Sequence, residues 1–225
     1  MKIGIIIQAR MGSARLPGKV LRKLGDRPLL EHVLGRLDLL HHRAKLIVAT
    51  SDQPRDDLVA GLCEALKVEC FRGSEEDVLA RYYNCAAQYG FEHIVRLTAD
   101  NPFTDVEELD HLIDLHLREG NAYTHSFDGL PVGVGAEIFS FVALERSWRE
   151  AGAPHHREHV NEYFLENPSL FKTGILDVPA AKNNPSLRLT IDTEEDWRKA
   201  NDLLIHANTK WLMTEQLIEL CLRSA

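Results

Sequence analysis

The sequence predicts a three-layer α/β/α domain on a mostly parallel sheet, and three observations carry that expectation. Apolar runs of buried-strand type recur at Ile3-Gly4-Ile5-Ile6-Ile7, Leu46-Ile47-Val48-Ala49-Thr50 and His93-Ile94-Val95-Arg96-Leu97. They are short, rich in β-branched residues and nearly continuous, as strands covered on both faces require. Helical patterns lie between them, so the two element types alternate. Polar segments follow the runs directly, at the strand ends where open α/β sheets bind ligands.

The first of these segments is Gln8 to Leu21, Q-A-R-M-G-S-A-R-L-P-G-K-V-L. It sets three cations, Arg10, Arg15 and Lys19, among the small residues Ala9, Gly12, Ser13, Ala14 and Gly18. Small residues let backbone N–H groups approach an anion closely. Two guanidinium groups can grip phosphate oxygens bidentately, and Lys19 adds a compact point charge. A solvated loop is the alternative, but it leaves the cations, the two glycines and the proline behind a buried strand unexplained. The segment therefore reads as a polyphosphate-holding loop. It is not a Walker A loop, because Val20 stands where Ser or Thr is required, and it lacks G-x-G-x-x-G.

A length of 225 residues fits one elaborated domain spanning 1–225. With 44% hydrophobic and 27% charged residues, and neither repeat nor low-complexity tract, the composition is that of a globular protein. The net charge of −8 argues against a nucleic acid polymer as partner and makes the cation cluster in the first loop a local feature. Cys63, Cys70, Cys85 and Cys221 have no C-x-x-C spacing and read as reduced thiols. No apolar run approaches the ~18 residues of a membrane span, and the first strand is too short for a signal peptide. The expectation is a soluble cytoplasmic protein without membrane partners.

Further along, Pro28 opens a helical pattern with Leu29, Leu30, Val33, Leu34 and Leu37 on one face, running to about His41-His42. Those histidines suit a helix C-terminus better than a metal site. The run from Leu46 ends at Ser51-Asp52, Pro54 starts a helix through Leu66, and Val68 to Phe71 reads as a third strand. Ser74 and Asp77 have capping-box spacing for a helix to about Gln88. That leaves Arg72-Gly73 without a structural reason in front of it.

The fourth strand, His93 to Leu97, runs into Thr98-Ala99-Asp100-Asn101-Pro102, after which Asp105 and Glu108 cap a helix through Leu117. Asp100 can reach the sheet's ligand crevice, with an Asx-turn as the alternative. A second acid follows a strand-like run in Leu187-Arg188-Leu189-Thr190-Ile191-Asp192. Thr193 and Asp196 form a capping box there, which leaves Asp192 free of the cap. Two hard carboxylates, Asp100 and Asp192, could hold Mg²⁺ together with phosphate oxygens and water. Glu194 and Glu195 read as first-turn partners of the helix dipole.

Between these acids, Ala122 to His125 reads as a strand, Pro131 to Phe139 as a turn followed by a strand, Phe141 to Glu150 as a helix, and His155 to Val160 as the opening of another. His155 and His159 are spaced i, i+4, but no H-E-x-x-H motif is present, and zinc is rejected.

The first loop closely resembles the signature A-R-x-x-S-x-R-L-P-G-K of the cytidylyltransferases that activate acidic sugars, the CMP-KDO and CMP-acylneuraminate synthetases and the spore-coat polysaccharide F-type proteins. L-T-A-D-N-P and L-T-I-D-T-E-E-D look like motifs of the same family, and Gln8 matches the spore-coat branch. The resemblance implies a fold of the nucleotide-diphosphosugar transferase type. It also implies transfer of CMP from CTP to a sugar, an acidic one such as a nonulosonic acid, with Mg²⁺ as cofactor and pyrophosphate leaving. Arg10, Arg15 and Lys19 would hold the triphosphate, beside Ala9, Gly12 and Ser13. Ser51, Arg72 and Ser74 would hold the base and ribose, and Asp100 and Asp192 the metal. P-x-G-x-x-x-E and R-E-H-V resemble the spore-coat branch in the segment at about 120–167, which is implied to frame the sugar pocket and a homodimer contact. Glu137, Arg157 and His159 are then candidates for the acceptor, with packing and surface roles as the alternative. Two other readings are a glycosyltransferase using a ready-made nucleotide sugar and a nucleotide-binding protein without turnover.

Overall fold

Six residues, Ile3–Gln8, form strand β1, and all but the last are buried, as the continuous apolar run requires. The computed structural model describes residues 1–205 and 210–223. After β1 come a two-stranded ribbon, β2 (Lys23–Leu24) and β3 (Arg27–Pro28), then α1 (Leu29–Arg36), β4 (Lys45–Ser51) and α2 (Asp57–Ala65). Next follow β5 (Glu69–Gly73), α3 (Val78–Tyr89), β6 (His93–Thr98), α4 (Val106–Glu119), β7 (Tyr123–His125) and β8 (Glu137–Ser140). The chain continues through α5 (Phe141–Glu150), α6 (Pro154–Glu158), α7 (Glu162–Glu166), β9 (Thr173–Ile175), α8 (Glu194–Ile205) and α9 (Thr214–Arg223).

The seven-stranded sheet has the order β5-β4-β1-β6-β8-β7-β9. Its first four strands are mutually parallel. β8 runs antiparallel to both neighbours, and β9 pairs parallel with β7. Alternation along β1 divides the core: Ile5 and Ile7 pack with Val48, Val95 and Leu97 against α1, α2 and α4, whereas Ile6, Ile47 and Ile94 pack against α3 and α5. Helices therefore cover both faces. Each fully buried isoleucine contributes about 1.5–3 kcal/mol, so a charge at one of these positions would break the layer. Gly4 lies in the strand because a Cβ there would stand 2.2 Å from the Phe91 ring.

Several boundaries differ from the sequence expectation. Leu187 to Ile191 is not a sheet strand; only a bridge between Val132 and Arg188 forms. The segment instead lies along the Val132 backbone, where the Val132 amide donates to Leu187 and the Leu189 amide to Val132, each at 2.8 Å. Gly133 permits this approach: its φ is +91°, and a Cβ would fall 2.5 Å from the Thr190 nitrogen. Helix α1 stops at Arg36, so His41 and His42 do not cap it; their amides each donate to Asp110 of α4 at 3.0 Å. Asp77, not Ser74, caps α3, accepting from Ala80 N at 2.8 Å, while Ser74 Oγ accepts from Asp77 N. The Asp105 cap and the reciprocal Thr193/Asp196 box form as expected.

The four cysteines are free thiols, and burial pushes Cys85 up to about 12. Among the described residues no helix is long and apolar enough to cross a membrane.

Candidate active site

The loop behind β1 is held by its own backbone and by one carboxylate beneath it. Gly18, at φ +71°, donates from its amide to Met11 O at 3.0 Å, closing the loop over a conformation that L side chains rarely adopt. Met11 N donates to Asp56 Oδ1 at 2.6 Å, and Ser51 Oγ donates to the other oxygen of the same carboxylate. Leu16 anchors the outer part of the loop in an apolar cluster with Leu189, Ile191 and Trp197. That cluster brings the loop and the segment before α8 together. Both border a cavity of about 290 Å³ lined by Gln8, Arg10, Gly12, Ser13, Ala14, Arg15, Lys19, Val20, Thr98, Ala99, Asp100 and Asp192.

Lys19 lies at the centre of the charge arrangement. Its ammonium donates to Asp100 Oδ2 at 2.9 Å, to Asp192 Oδ1 at 3.0 Å and to the Ile191 carbonyl at 2.6 Å. The other oxygen of Asp192 accepts from Arg15 at 2.9 Å and from Arg188. Backbone ties the acids together as well, because Ile191 N donates to Asp100 O at 2.9 Å. Burial alone would raise the Asp192 carboxyl, but Lys19, Arg188 and Arg15 hold it below the usual carboxylate range. Arg10 lines the same cavity without an ion pair among the described residues.

The structure thus brings Arg10, Gly12, Ser13, Arg15, Lys19, Asp100 and Asp192 together around one cavity, and leaves the remaining candidates outside its lining. Ala9 is buried, with its amide on Ala49 O. Ser51 is buried and shapes the loop through Asp56. Arg72 donates to the carbonyls of Ser51 and Gln53 and pairs with Asp57, so its guanidinium braces the loop after β4. Ser74 uses its hydroxyl on Asp77 N and its carbonyl on Arg81. Glu137 is fully buried in the sheet, paired with Arg96 and accepting from Tyr123 Oη at 2.6 Å. With both oxygens engaged, packing is the role its surroundings give it.

Arg157 stands 3.6 Å from Asp77 at the start of α3, and His159 is exposed beyond the last residue of α6. The i, i+4 face of His155 and His159 does not form; His155 and His156 instead meet Glu166, at 2.8 and 2.6 Å.

A family model for cytidylyltransferases matches residues 4–222. The chain belongs to that family. This cytidylyltransferase, a CTP-using nucleotidyltransferase, is 39% identical over 203 residues to the spore coat polysaccharide biosynthesis protein SpsF of Bacillus subtilis, covering 88% of this chain and 84% of that one. It is 42% identical to an uncharacterized protein of Methanocaldococcus jannaschii, over 97% of this chain and 90% of the other. A solved cytidylyltransferase from Leptospira borgpetersenii superposes with a TM-score of 0.93 at 34% identity, covering 100% of this chain and 95% of its own.

Two cavity-lining residues of this cytidylyltransferase, Gln8 and Thr98, and one partner of Asp192, Arg188, were not among the sequence candidates for the site. Gln8 and Thr98 end neighbouring strands in register, and the Gln8 Oε1 atom is buried without a partner among the described residues. The strand-end rule that found Asp100 could have found both. Arg188 carried no local signal, since its contact with Asp192 follows from how the 187–191 segment bends. The donor chemistry of Asp100 and Asp192 fits a hard divalent cation: both are carboxylates, and both already converge on a single positive charge.

Proposed function

We propose that the protein transfers CMP from CTP to a sugar, with pyrophosphate leaving, in surface polysaccharide or glycan biosynthesis. The acceptor in this reading is an acidic sugar such as a nonulosonic acid, and the cofactor is Mg²⁺. One observation carries it: a single cavity sets the cations of the first loop against the two acids Asp100 and Asp192.

A sugar hydroxyl attacks the α-phosphorus in line, and the protein's work is positioning and charge neutralisation. Arg10 and Arg15 hold the triphosphate oxygens and Lys19 joins them, so charge on the departing pyrophosphate is met by fixed donors. Gly12 and Ser13 let the loop backbone approach the phosphates. Asp100 and Asp192 would hold Mg²⁺, which would supply Lewis-acid charge at the reacting phosphoryl group. On the acceptor side we retain Arg157, because its partner Asp77 follows the segment whose Glu75 approaches Gly12 of the loop.

A homodimer through the 120–167 segment belongs to the same proposal. Exposed Phe127, Val142 and Leu165 supply apolar surface there. Light scattering at micromolar concentration should give twice the chain mass.

The deciding experiment incubates the protein with CTP, Mg²⁺ and a panel of acidic sugars and follows pyrophosphate. Its release supports this reading. Sugar transfer from a ready-made CMP-sugar, or tight CTP binding with no product, would replace it.

A further inference from the structure

Three acceptors surround the Lys19 ammonium: Asp100 Oδ2, Asp192 Oδ1 and the Ile191 carbonyl, all within 3.0 Å. They match the three protons of an ammonium group one for one. The side chain is only 8% exposed, so it is docked inward, not extended across the cavity. Asp192 has no oxygen to spare, because Arg15 and Arg188 share its second one. A divalent cation at these carboxylates would need oxygen contacts far shorter than an ammonium makes, in the place the ammonium fills. Two cations packed into that space would repel strongly, so the site accommodates one of them at a time.

We propose that Lys19 is the resident cation of the Asp100–Asp192 pair in the nucleotide-free protein, and that it yields this place when phosphate oxygens offer it other acceptors. The neighbouring contacts are arranged for such an exchange. Arg15 is 63% and Arg188 43% exposed, so both can leave Asp192 without unburying a core group. Gly18 precedes Lys19 at φ +71° with its amide held on Met11 O at 3.0 Å, so the exchange is a movement of the Lys19 side chain on a fixed loop backbone. The free protein is consequently a poor binder of divalent metal, and metal and nucleotide each favour the other's binding by the same factor. The nucleotide half of this statement rests on the proposed function; the metal half does not.

The test titrates Mn²⁺ into nucleotide-free protein and follows the free ion by its paramagnetic resonance. Lys19→Gln keeps hydrogen-bond donors and removes the charge, and Lys19→Met removes both. Either variant should bind Mn²⁺ roughly tenfold or more tightly than wild type, since a unit charge beside both carboxylates is gone. Adding Asp192→Asn to Lys19→Gln should erase that gain, which assigns it to this pair and not to the His155, His156 and Glu166 group. Thermal melts establish that each variant is folded, and two variants guard against the loss of one. Mn²⁺ binding no tighter in the folded variants than in wild type overturns the proposal, whatever the enzyme does with CTP. A gain in binding in the variants, together with no CTP turnover by the wild-type protein, would uphold the exchange and remove the nucleotide reading alone.

Discussion

Two lysines in this chain are buried among carboxylates, and the contrast between their surroundings separates a site from a scaffold. Lys182 meets Glu107 at 2.7 Å and Glu108 at 2.9 Å in the first turn of α4, and the N-cap of that helix, Asp105, at 3.2 Å. Thr214 Oγ closes the cluster on Asp105 Oδ2 at 2.5 Å, and the lysine is 2% exposed. Burial would lower its pKa, but Glu107, Glu108 and Asp105 hold it above the ordinary ammonium value. Lys19 has as many acceptors, yet they come from segments far apart in the chain, two of them on acids that border a cavity, and Asp192 is shared with the exposed Arg15 and Arg188. A saturated cluster drawn from one helix end fastens the segment that passes it. A cluster assembled across a cavity and sharing exposed cations can exchange partners.

Removing charge from the cavity acids should break that contrast most visibly. Asp100→Asn and Asp192→Asn are each expected to lower Mg²⁺-dependent turnover by about a thousand-fold with little change in melting temperature. The double variant should be hardly worse than either single one, because residues acting on one cation are non-additive. Rates at saturating CTP across a Mg²⁺ titration check this; defects that multiply would mean two independent roles.

Lys182→Met is the converse case. Leaving three acids around a vanished partner should cost about 3–5 kcal/mol of stability by denaturant unfolding. Turnover per folded molecule should persist. A parallel loss of turnover would show that the Lys182 anchor also positions Asp192, and would blur the distinction.

A core titration distant from both lysines provides the next comparison. Burial, with His93 nearby, lowers His116 to about 4. Between pH 6.5 and 4 the unfolded chain therefore binds a proton that the folded chain refuses, and stability falls as pH falls through that window, by about 3 kcal/mol. His116→Asn should flatten the acid limb of the melting profile over that range. Asp110 and Asp192, held low, act at more acidic pH and should leave their own limb unchanged.

The smallest effect should come from the exposed member of the cavity cluster. Arg15→Ala removes a charge-assisted phosphate contact worth roughly 1.5–3 kcal/mol, a ten- to hundred-fold loss of turnover, and should not alter the fold. Wild-type rates would place Arg15 with the surface charges.

Particular residues show where the reading of the chain stopped. Arg10, Arg15, Lys19 and Asp100 reach the cavity because they follow β1 and β6, neighbouring parallel strands that deliver their ends to one edge, whereas Asp192 reaches it on the segment laid along Val132. Arg72 and Glu137 have the same residue chemistry, yet one braces backbone carbonyls and the other is sealed in an ion pair inside the sheet. Nothing local distinguishes a carboxylate that faces a cavity from one that faces its neighbour strand.

The sequence by itself determined the alternating strands and helices, the Asp105 and Thr193/Asp196 caps, and the cation-bearing loop behind β1, because these depend on contacts a few residues long. Tertiary structure decided that Asp192 arrives on a segment laid against Val132 and not on a sheet strand, and that Lys19 stands between two acids, one of them 173 positions away. Those contacts depend on how the chain returns over its own core, and side-chain periodicity carries no record of that path.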